Sequence, residues 1–157
     1  PFYLSWKAKA YDFNTRFIEL AGEVNGSMPY FVVDLLGEVL NKYKKSINGS
    51  TILIMGVAYK EDIDDTRESP AIDIIRLIEK KGGNVKYHDP YVEKLNVGSK
   101  VYSNIPFTKV QLAKADIVLL ITAHSNVDYK MLKDSKRPVL DTRNGMKKFK
   151  SKNIFTF

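Results

Sequence analysis

The stretch T-I-L-I-M-G-V-A-Y-K-E-D-I-D-D-T-R-E-S-P, residues 51–70, decides the fold. Its first eight residues form a short apolar run of the kind that makes a buried strand. The closing pair, Ser69 and Pro70, is typical of a helix start, because serine caps the first turn and proline fits the first helical position. Between these two parts, Lys60 and Arg67 bracket four acidic residues. The stretch therefore predicts a strand, a charged loop and a helix in succession.

The alternation of strand and helix continues to the end of the chain. Apolar residues recur at helical spacing after Pro70, and the pair Gly82-Gly83 ends that helix. The other predicted elements are strands at 84–89, 115–122 and 138–141, short helices at 111–114 and 127–133, and an edge strand in the final N-I-F-T-F. Residues 115–122 are apolar on both faces, as in a central parallel strand. Residues 50–157 are thus predicted to form a Rossmann-like α/β domain with a parallel sheet.

Residues 1–48 are predicted to form a separate helical segment. Asn25-Gly26-Ser27 interrupts a first apolar repeat, so that Ser27 caps a new helix or Pro29 kinks a continuous one. An apolar stripe between residues 32 and 43 follows, and Asn48-Gly49 is expected to end the helix. The stripe is longer than a small domain needs for its core, which favours an interaction face. The alternative is that it packs on the Rossmann-like domain itself.

The composition narrows the class of protein. The 157 residues carry a net charge of +7, which favours anionic partners such as nucleotides or sugar phosphates. The lysines are spread along the chain, and no basic stripe with interleaved aromatic residues stands out, so nucleic-acid binding is not expected. No apolar run approaches the ~20 residues of a membrane helix, and no signal peptide pattern is present at the start. No membrane association is expected, and a cytoplasmic location is predicted.

The scarcity of cysteine and histidine limits the chemistry. With no cysteine and two histidines, the chain has no disulfide and no thiolate nucleophile, and a metal site is not expected. The acids Asp62, Asp64 and Asp65 lack the later ligands and the glycine of a calcium loop. They are therefore interpreted as solvated turn residues.

Three polar clusters follow predicted strands, at residues 59–67, 122–124 and 141–144. In open parallel sheets, ligands bind at the carboxyl ends of the strands, so these clusters are the candidate site. The first loop contains only Gly56 and lacks G-x-G-x-x-G, which disfavours a standard dinucleotide site.

Cations in two of these clusters are candidate phosphate ligands. Lys60 at a strand end suits phosphate as a mobile point charge, but spacing alone favours a solvated lysine paired with Glu61 or Asp62. Arg143 could hold a phosphate through two parallel hydrogen bonds, or form a loop salt bridge with Asp141. For Arg143 the two alternatives remain open.

The remaining polar residues have structural interpretations. Arg67 could bind an anion or pair locally with Asp64 or Asp65, and both alternatives are open. His124 could act as an acid or a base, but a hydrogen-bonded loop histidine is preferred because no partner is identifiable. Asp89 before Pro90 is interpreted as a turn residue, because the glycine fingerprint that accompanies a ribose-binding acid is missing.

Several of these stretches together resemble a known family. G-V-A-Y-K, D-D-T-R-E-S-P-A, Y-H-D-P-Y-V, A-D-I-V-L-L-I-T and L-D-T-R-N match, in order and spacing, the C-terminal third of the UDP-glucose/GDP-mannose dehydrogenases. The opening P-F-Y-L-S-W-K-A-K and the run R-F-I-E-L-A-G-E-V-N-G-S-M-P resemble the central helical region of that family. The resemblance implies a dimerisation region in residues 1–48 and a UDP-binding domain in residues 50–157.

The resemblance also implies an activity for the parent protein. Members of the family oxidise the C6 alcohol of a nucleotide sugar to a carboxylate with NAD, which is held mainly by an N-terminal domain absent from this chain. The P-F-Y-L-S-W-K-A variant is most similar to enzymes that act on UDP-N-acetylhexosamines, especially UDP-N-acetylglucosamine, in surface polysaccharide synthesis. The implied partners are a UDP-sugar and a second copy of the chain.

Four residues of this chain match binding positions of the family. Tyr59 and Lys60 match an aromatic-lysine pair that contacts the substrate, and Arg143 of D-T-R-N matches an arginine on the substrate side. Arg67 of T-R-E-S matches the arginine that reaches NAD. The resemblance thus reverses the interpretation of Lys60 from spacing and favours binding roles for both arginines.

The chain departs from the family in lacking the catalytic cysteine, whose place is just ahead of Pro1. Thiolate attack on an aldehyde intermediate needs that cysteine, so we expect no catalytic residue in this chain. Because the chain also begins without an initiator methionine, we expect it to be an inactive fragment. The alternative function is a non-enzymatic, Rossmann-like nucleotide-binding or assembly module.

Overall fold

The computed structural model describes residues 2–156 of the protein. Pro1 of the P-F-Y-L-S-W-K-A segment and Phe157 of the predicted last strand lie outside the described residues. The helices are α1 (Phe2–Lys9), α2 (Arg16–Lys42), α3 (Pro70–Lys80), α4 (Lys109–Lys114) and α5 (Tyr129–Asp134). The strands are β1 (Thr51–Met55), β2 (Asn84–His88), β3 (Lys94–Val97), β4 (Lys100–Ser103), β5 (Ile117–Leu120), β6 (Val139–Asp141) and β7 (Ile154–Thr156).

The main sheet is parallel, with strand order β2-β1-β5-β6-β7. This confirms the predicted Rossmann-like α/β fold, including the final edge strand. The chain passes from β1 to β2 on one side, and then crosses to β5 on the other side of β1. The carboxyl ends of β1 and β5 therefore form a topological switch point, which is where open α/β sheets bind ligands.

The two faces of the sheet carry separate hydrophobic cores. Ile52 and Ile54 of β1 pack with α2 and α3 on one face. Leu53 and Met55 pack with α4 and α5 on the other face. This alternation follows from the two-residue period of a strand, and burial on both faces explains the uninterrupted apolar run.

The predicted interruption at Asn25-Gly26-Ser27 does not break the helix. The helix α2 runs continuously through Pro29, which agrees with the continuous helix of the second alternative. Ser27 does not cap a new helix, and its Oγ instead donates to the carbonyl oxygen of Val24 at 2.8 Å. The helix ends at Lys42, earlier than the predicted end at Asn48-Gly49.

The two halves of α2 have different surroundings. Val32, Leu36 and Leu40 of the apolar stripe are at most 5% exposed and lie in the same core as Ile52 and Ile54 of the sheet. The interpretation of this stripe as an interaction face is therefore wrong, because the protein's own sheet and α3 cover it. The earlier repeat is exposed instead, with Phe17 at 89%, Leu20 at 54% and Val24 at 50%.

The β3–β4 hairpin was not predicted from the sequence. Its strands are four residues long, and exposed polar residues alternate in β3 with the buried Leu95 and Val97. Gly98 forms the turn with φ +61. Strands this short do not produce a distinctive pattern. Among residues 2–156, the structure contains no helix with the length and apolar character needed to cross a bilayer.

Candidate functional site

An open cleft of about 510 Å³ lies at the carboxyl edge of the sheet. Its lining comes from the loops after β1, β5 and β6, which the switch point brings together. The lining residues are Tyr59, Lys60, Glu61, Thr122, Ala123 and Arg143. The structure thus places three of the four predicted site residues in one cleft, and Arg67 is not among its lining residues.

Lys60 has its ammonium group available for a ligand. Its Nζ lies 5.7 Å from the centre of the Tyr59 ring, at the distance of a cation–π contact. Among the ion pairs of residues 2–156, none involves Lys60, so the pairing with Glu61 or Asp62 favoured by spacing is not present. A cation without a counter-ion at a strand end suits an anionic ligand.

Arg143 is held by the backbone around it. Its Nε donates to the carbonyl oxygen of Ile121 at 2.8 Å, and its backbone N–H donates to Oδ1 of Asp141 at 3.0 Å. The buried Asp141 also accepts from the N–H groups of Gly145 and Met146. The side chains of Arg143 and Asp141 form no salt bridge within the described part of the chain. The guanidinium is fixed at one nitrogen while its other nitrogens remain for a ligand.

Arg67 forms the local pair that spacing allowed. Its Nε and Nη2 donate to the two carboxylate oxygens of Asp65 at 3.0 and 2.8 Å, in a two-pronged arrangement. The hydrogen bonds from Arg67 lower the pKa of Asp65 to about 2. The Arg67 side chain is 88% exposed, so it is accessible from the solvent. Its assignment to NAD stays a prediction.

Asp89 and His124 were not predicted to interact, yet they connect the loops around the cleft. Asp89 is fully buried, and it accepts from the N–H groups of Tyr91 and Val92 as a turn residue does. It also accepts from the N–H groups of Val57 and Ala58, and the interpretation as a turn residue did not include these two contacts. His124 is fully buried with its Nε2 3.0 Å from Asp89, consistent with the preferred hydrogen-bonded histidine.

Asp62 also has a defined structural role. Its Oδ1 accepts from the N–H of Ser125 at 2.9 Å and from the hydroxyl of Tyr91 at 3.4 Å. The hydrogen bonds from Ser125 are the main reason that the pKa of Asp62 is lowered. Asp62 is therefore a structural link between two loops. Across residues 2–156, no cluster of three or more acidic or histidine side chains is arranged to hold a metal ion.

Comparison with known proteins identifies the family. The model of the UDP-glucose/GDP-mannose dehydrogenase family, UDP binding domain, matches residues 53–148. UDP-N-acetyl-D-mannosamine dehydrogenase of Methanocaldococcus jannaschii is 32% identical over 154 residues, covering 92% of this chain and 32% of that protein. UDP-N-acetyl-D-glucosamine 6-dehydrogenase of Salmonella typhi is 27% identical over 124 residues, covering 79% and 29%.

A solved structure shares the fold. UDP-D-ManNAc dehydrogenase of Pyrococcus horikoshii superposes with a TM-score of 0.72 at 27% identity, covering 88% of this chain and 32% of that one. The chain thus spans about a third of the length of the relatives that it matches. The match covers the strands and loops that build the cleft, from β1 to the residues after Arg143. The chain therefore belongs to the UDP-glucose/GDP-mannose dehydrogenase family, and residues 53–148 carry the UDP-binding domain of that family.

Proposed function

We propose that the chain is the C-terminal, UDP-binding part of an NAD-dependent dehydrogenase that oxidises the C6 hydroxyl of a UDP-sugar to a carboxylate. The observation that carries this proposal is the position of Tyr59, Lys60 and Arg143 in one cleft at the switch point of the sheet. The cleft lies in the part of the chain that matches a UDP-binding domain.

The chemistry of the cleft fits a diphosphate. Lys60 supplies a point charge without a counter-ion among the described residues, and Arg143 supplies a planar group with a fixed orientation. Two cations from different loops can contact both phosphates of UDP, while Tyr59 supplies an aromatic surface beside them. Carboxylates are few in this lining, with only Glu61 among the six lining residues.

The substrate class and the cofactor are part of the same proposal. Relatives named for UDP-N-acetyl-D-mannosamine and UDP-N-acetyl-D-glucosamine support a UDP-N-acetylhexosamine. Bound NAD would accept hydride from the sugar, and the exposed Arg67 would contact it from this chain. No cysteine is present in this chain, so we infer that it is inactive alone. We place the parent enzyme in cytoplasmic polysaccharide biosynthesis.

We also propose a homodimer formed through residues 1–48, with residues 50–157 as the UDP-binding domain. The exposed apolar side chains of α1 and the first half of α2 support this arrangement. These side chains are Tyr3, Leu4, Trp6, Phe17, Leu20 and Val24, all at least 50% exposed. Apolar groups in such numbers on one helical segment are typical of a protein interface.

Calorimetry with the 157-residue chain tests the proposal. UDP at low salt should bind, and Lys60→Ala and Arg143→Ala should each weaken binding about tenfold, because each removes a charged phosphate contact. Lys80→Ala is the matched control, since this exposed lysine ends α3, just before the amino end of β2 and away from the cleft. Absence of binding at millimolar UDP would contradict UDP binding by this chain.

A further inference from the structure

We propose that Asp89 and His124 are positioning residues, which fix the backbone on both sides of Lys60 and thereby place its ammonium group for the phosphates. The inference rests on the proposed function for the role of Lys60. It adds two residues that are not among the lining residues of the cleft. Both side chains are fully buried, although both are ionisable.

Asp89 anchors the backbone ahead of Lys60. Its Oδ2 accepts from the N–H groups of Val57 at 2.7 Å and Ala58 at 3.0 Å. These residues directly follow Gly56 at the end of β1. The carbonyl oxygen of Ala58 accepts from the Thr122 hydroxyl at 2.7 Å, which ties the same point to the loop after β5.

His124 anchors the backbone behind Lys60. Its Nδ1 accepts from the N–H of Asp62 at 2.9 Å. A nitrogen that accepts an N–H carries no proton, so Nε2 must carry the proton of the neutral ring. Nε2 then donates to Oδ2 of Asp89 across 3.0 Å. One hydrogen bond between two buried side chains therefore joins the anchor ahead of Lys60 to the anchor behind it.

The environment of Asp89 is consistent with a permanent anchor. Burial opposes its ionisation, but the hydrogen bonds from His124 and from backbone N–H groups lower the pKa of its carboxyl. Its two oxygens receive five donors, namely Val57, Ala58, Tyr91, Val92 and His124. A buried carboxylate is tolerated when hydrogen bonds replace its hydration in this way.

Residues 59–61, which lie between the backbone contacts of Asp89 and that of His124, make few contacts of their own. Tyr59, Lys60 and Glu61 are exposed, and the N–H of Tyr59 donates to the carbonyl oxygen of Asp65 at 2.7 Å. Within the described residues, the Lys60 ammonium contacts only the neighbouring Tyr59 ring and no carboxylate. The position of this lysine therefore depends on its backbone, which Asp89 and His124 hold on either side together with the hydrogen bond from Tyr59 to Asp65.

A double-mutant cycle on UDP binding tests the inference in the 157-residue chain. Glutamine at 124 can donate to Asp89 but offers no acceptor at the position of Nδ1, so His124→Gln should weaken UDP binding about tenfold. In the Lys60→Ala background the same substitution should have almost no effect, because the positioned group is gone. An equal loss of affinity in both backgrounds would overturn the inference, since a structural role does not depend on Lys60.

Two further variants separate positioning from general destabilisation. His124→Asn should bind UDP more tightly than His124→Gln and nearly as tightly as the wild type. The Oδ1 of the introduced asparagine can replace Nδ1 as the acceptor for the Asp62 N–H. His88→Gln is the matched control, since His88 ends β2 with its Nδ1 2.8 Å from the carbonyl oxygen of Ile105. This control should leave UDP binding unchanged, and a tenfold loss in it would count against the inference.

Amide hydrogen exchange decides the inference even if the wild-type chain fails to bind UDP, which would be a failure of the proposed function alone. We expect protection of the Ala58 and Asp62 amides, and loss of protection at Asp62 in His124→Gln but not in His88→Gln. The nitrogen NMR spectrum should show the proton of His124 on Nε2. Unchanged protection in His124→Gln, or a proton on Nδ1, would overturn the anchoring.

Discussion

A β-carbon on Gly56 would lie 2.1 Å from the carbonyl oxygen of Thr122, so the chain leaving β1 and the chain leaving β5 approach closely. Gly56 also has φ +76, which side-chain-bearing residues rarely adopt. The close approach occurs directly before Val57 and Ala58, the residues held by Asp89. The switch point thus depends on a glycine for both its backbone conformation and its space.

Gly56→Ala should destabilise the protein by about 3 kcal/mol, because it adds a steric clash to a strained backbone conformation. Gly98→Ala is the control, since φ is +61 there but nothing lies within 4 Å of an added β-carbon. The control should cost only about 1 kcal/mol. Urea unfolding of both variants measures the difference, and equal free energies of unfolding would contradict the clash.

Removal of Arg67 should raise the pKa of Asp65. The carboxyl has a pKa of about 2 against an ordinary value of 3.8, with the side-chain hydrogen bonds from Arg67 as the largest cause. Since the folded pKa is lowered, this contribution to stability is present above pH 3.8 and is lost as the pH falls through about 2. In Arg67→Ala the NMR titration of Asp65 should move towards 3.8.

Arg76→Ala serves as the control for that titration, because Arg76 pairs with Asp73 on α3 instead. An Asp65 pKa that stays near 2 in Arg67→Ala would show that Arg67 is not its cause.

Arg143→Lys should weaken UDP binding although the charge is kept. Lysine has no Nε donor for the Ile121 carbonyl, which holds the guanidinium in place, and it cannot make two parallel hydrogen bonds. We expect about a tenfold loss of affinity by calorimetry. Arg16→Lys, at the start of α2, is the control and should bind UDP as the wild type does. Full affinity in Arg143→Lys would show that residue 143 contributes to binding only through its charge.

The two halves of α2 should respond differently to the same substitution. Leu36→Ala should lower the free energy of unfolding by about 3 kcal/mol, because it leaves a cavity in the core between α2 and the sheet. Leu20→Ala should change it by no more than about 0.5 kcal/mol. Both are measured by urea unfolding at a concentration where the chain is monomeric. A large loss in Leu20→Ala would place Leu20 in the core.

Phe17→Glu should reduce self-association if α1 and the first half of α2 form the dimer interface. Sedimentation of the wild-type chain should show a dimer, and the charged side chain should shift it towards monomer. Val110→Glu on α4 is the control, because Val110 is 65% exposed but lies outside the helical segment. A monomeric wild type at high concentration would argue against the interface.

Much of the fold could be predicted because an uninterrupted run of apolar residues indicates a strand that is buried on both faces. The β1 and β5 runs are apolar on both faces, which is a local property of the sequence. The apolar stripe of α2 was also predicted from the sequence. Such a stripe indicates that one face of a helix is buried, but it does not indicate which element packs against that face. Leu36 therefore packs on the sheet, whereas Phe17, in a similar pattern, is exposed.

The site could be predicted only in part, for a related physical reason. Lys60 and Arg143 follow strands of a parallel sheet, so topology alone brings them to one edge. The bond between Asp89 and His124 joins residues 35 positions apart, and no local pattern specifies which polar residues pair across the core. The sequence predicted the turn at Asp89. The hydrogen bonds of Asp89 to the backbone after β1 depend on how the loops pack, which the sequence does not show.

The continuity of α2 has a mechanical consequence. Its 27 residues make a rod about 40 Å long, with one half embedded in the core and the other half projecting. A tilt of about 10° at the embedded end would displace the tip by roughly 4–7 Å, given that length. Pro29 lies near the middle, where the missing N–H removes one hydrogen bond of the ladder. One continuous helix would therefore connect a body bound at its exposed half to the sheet that carries the cleft.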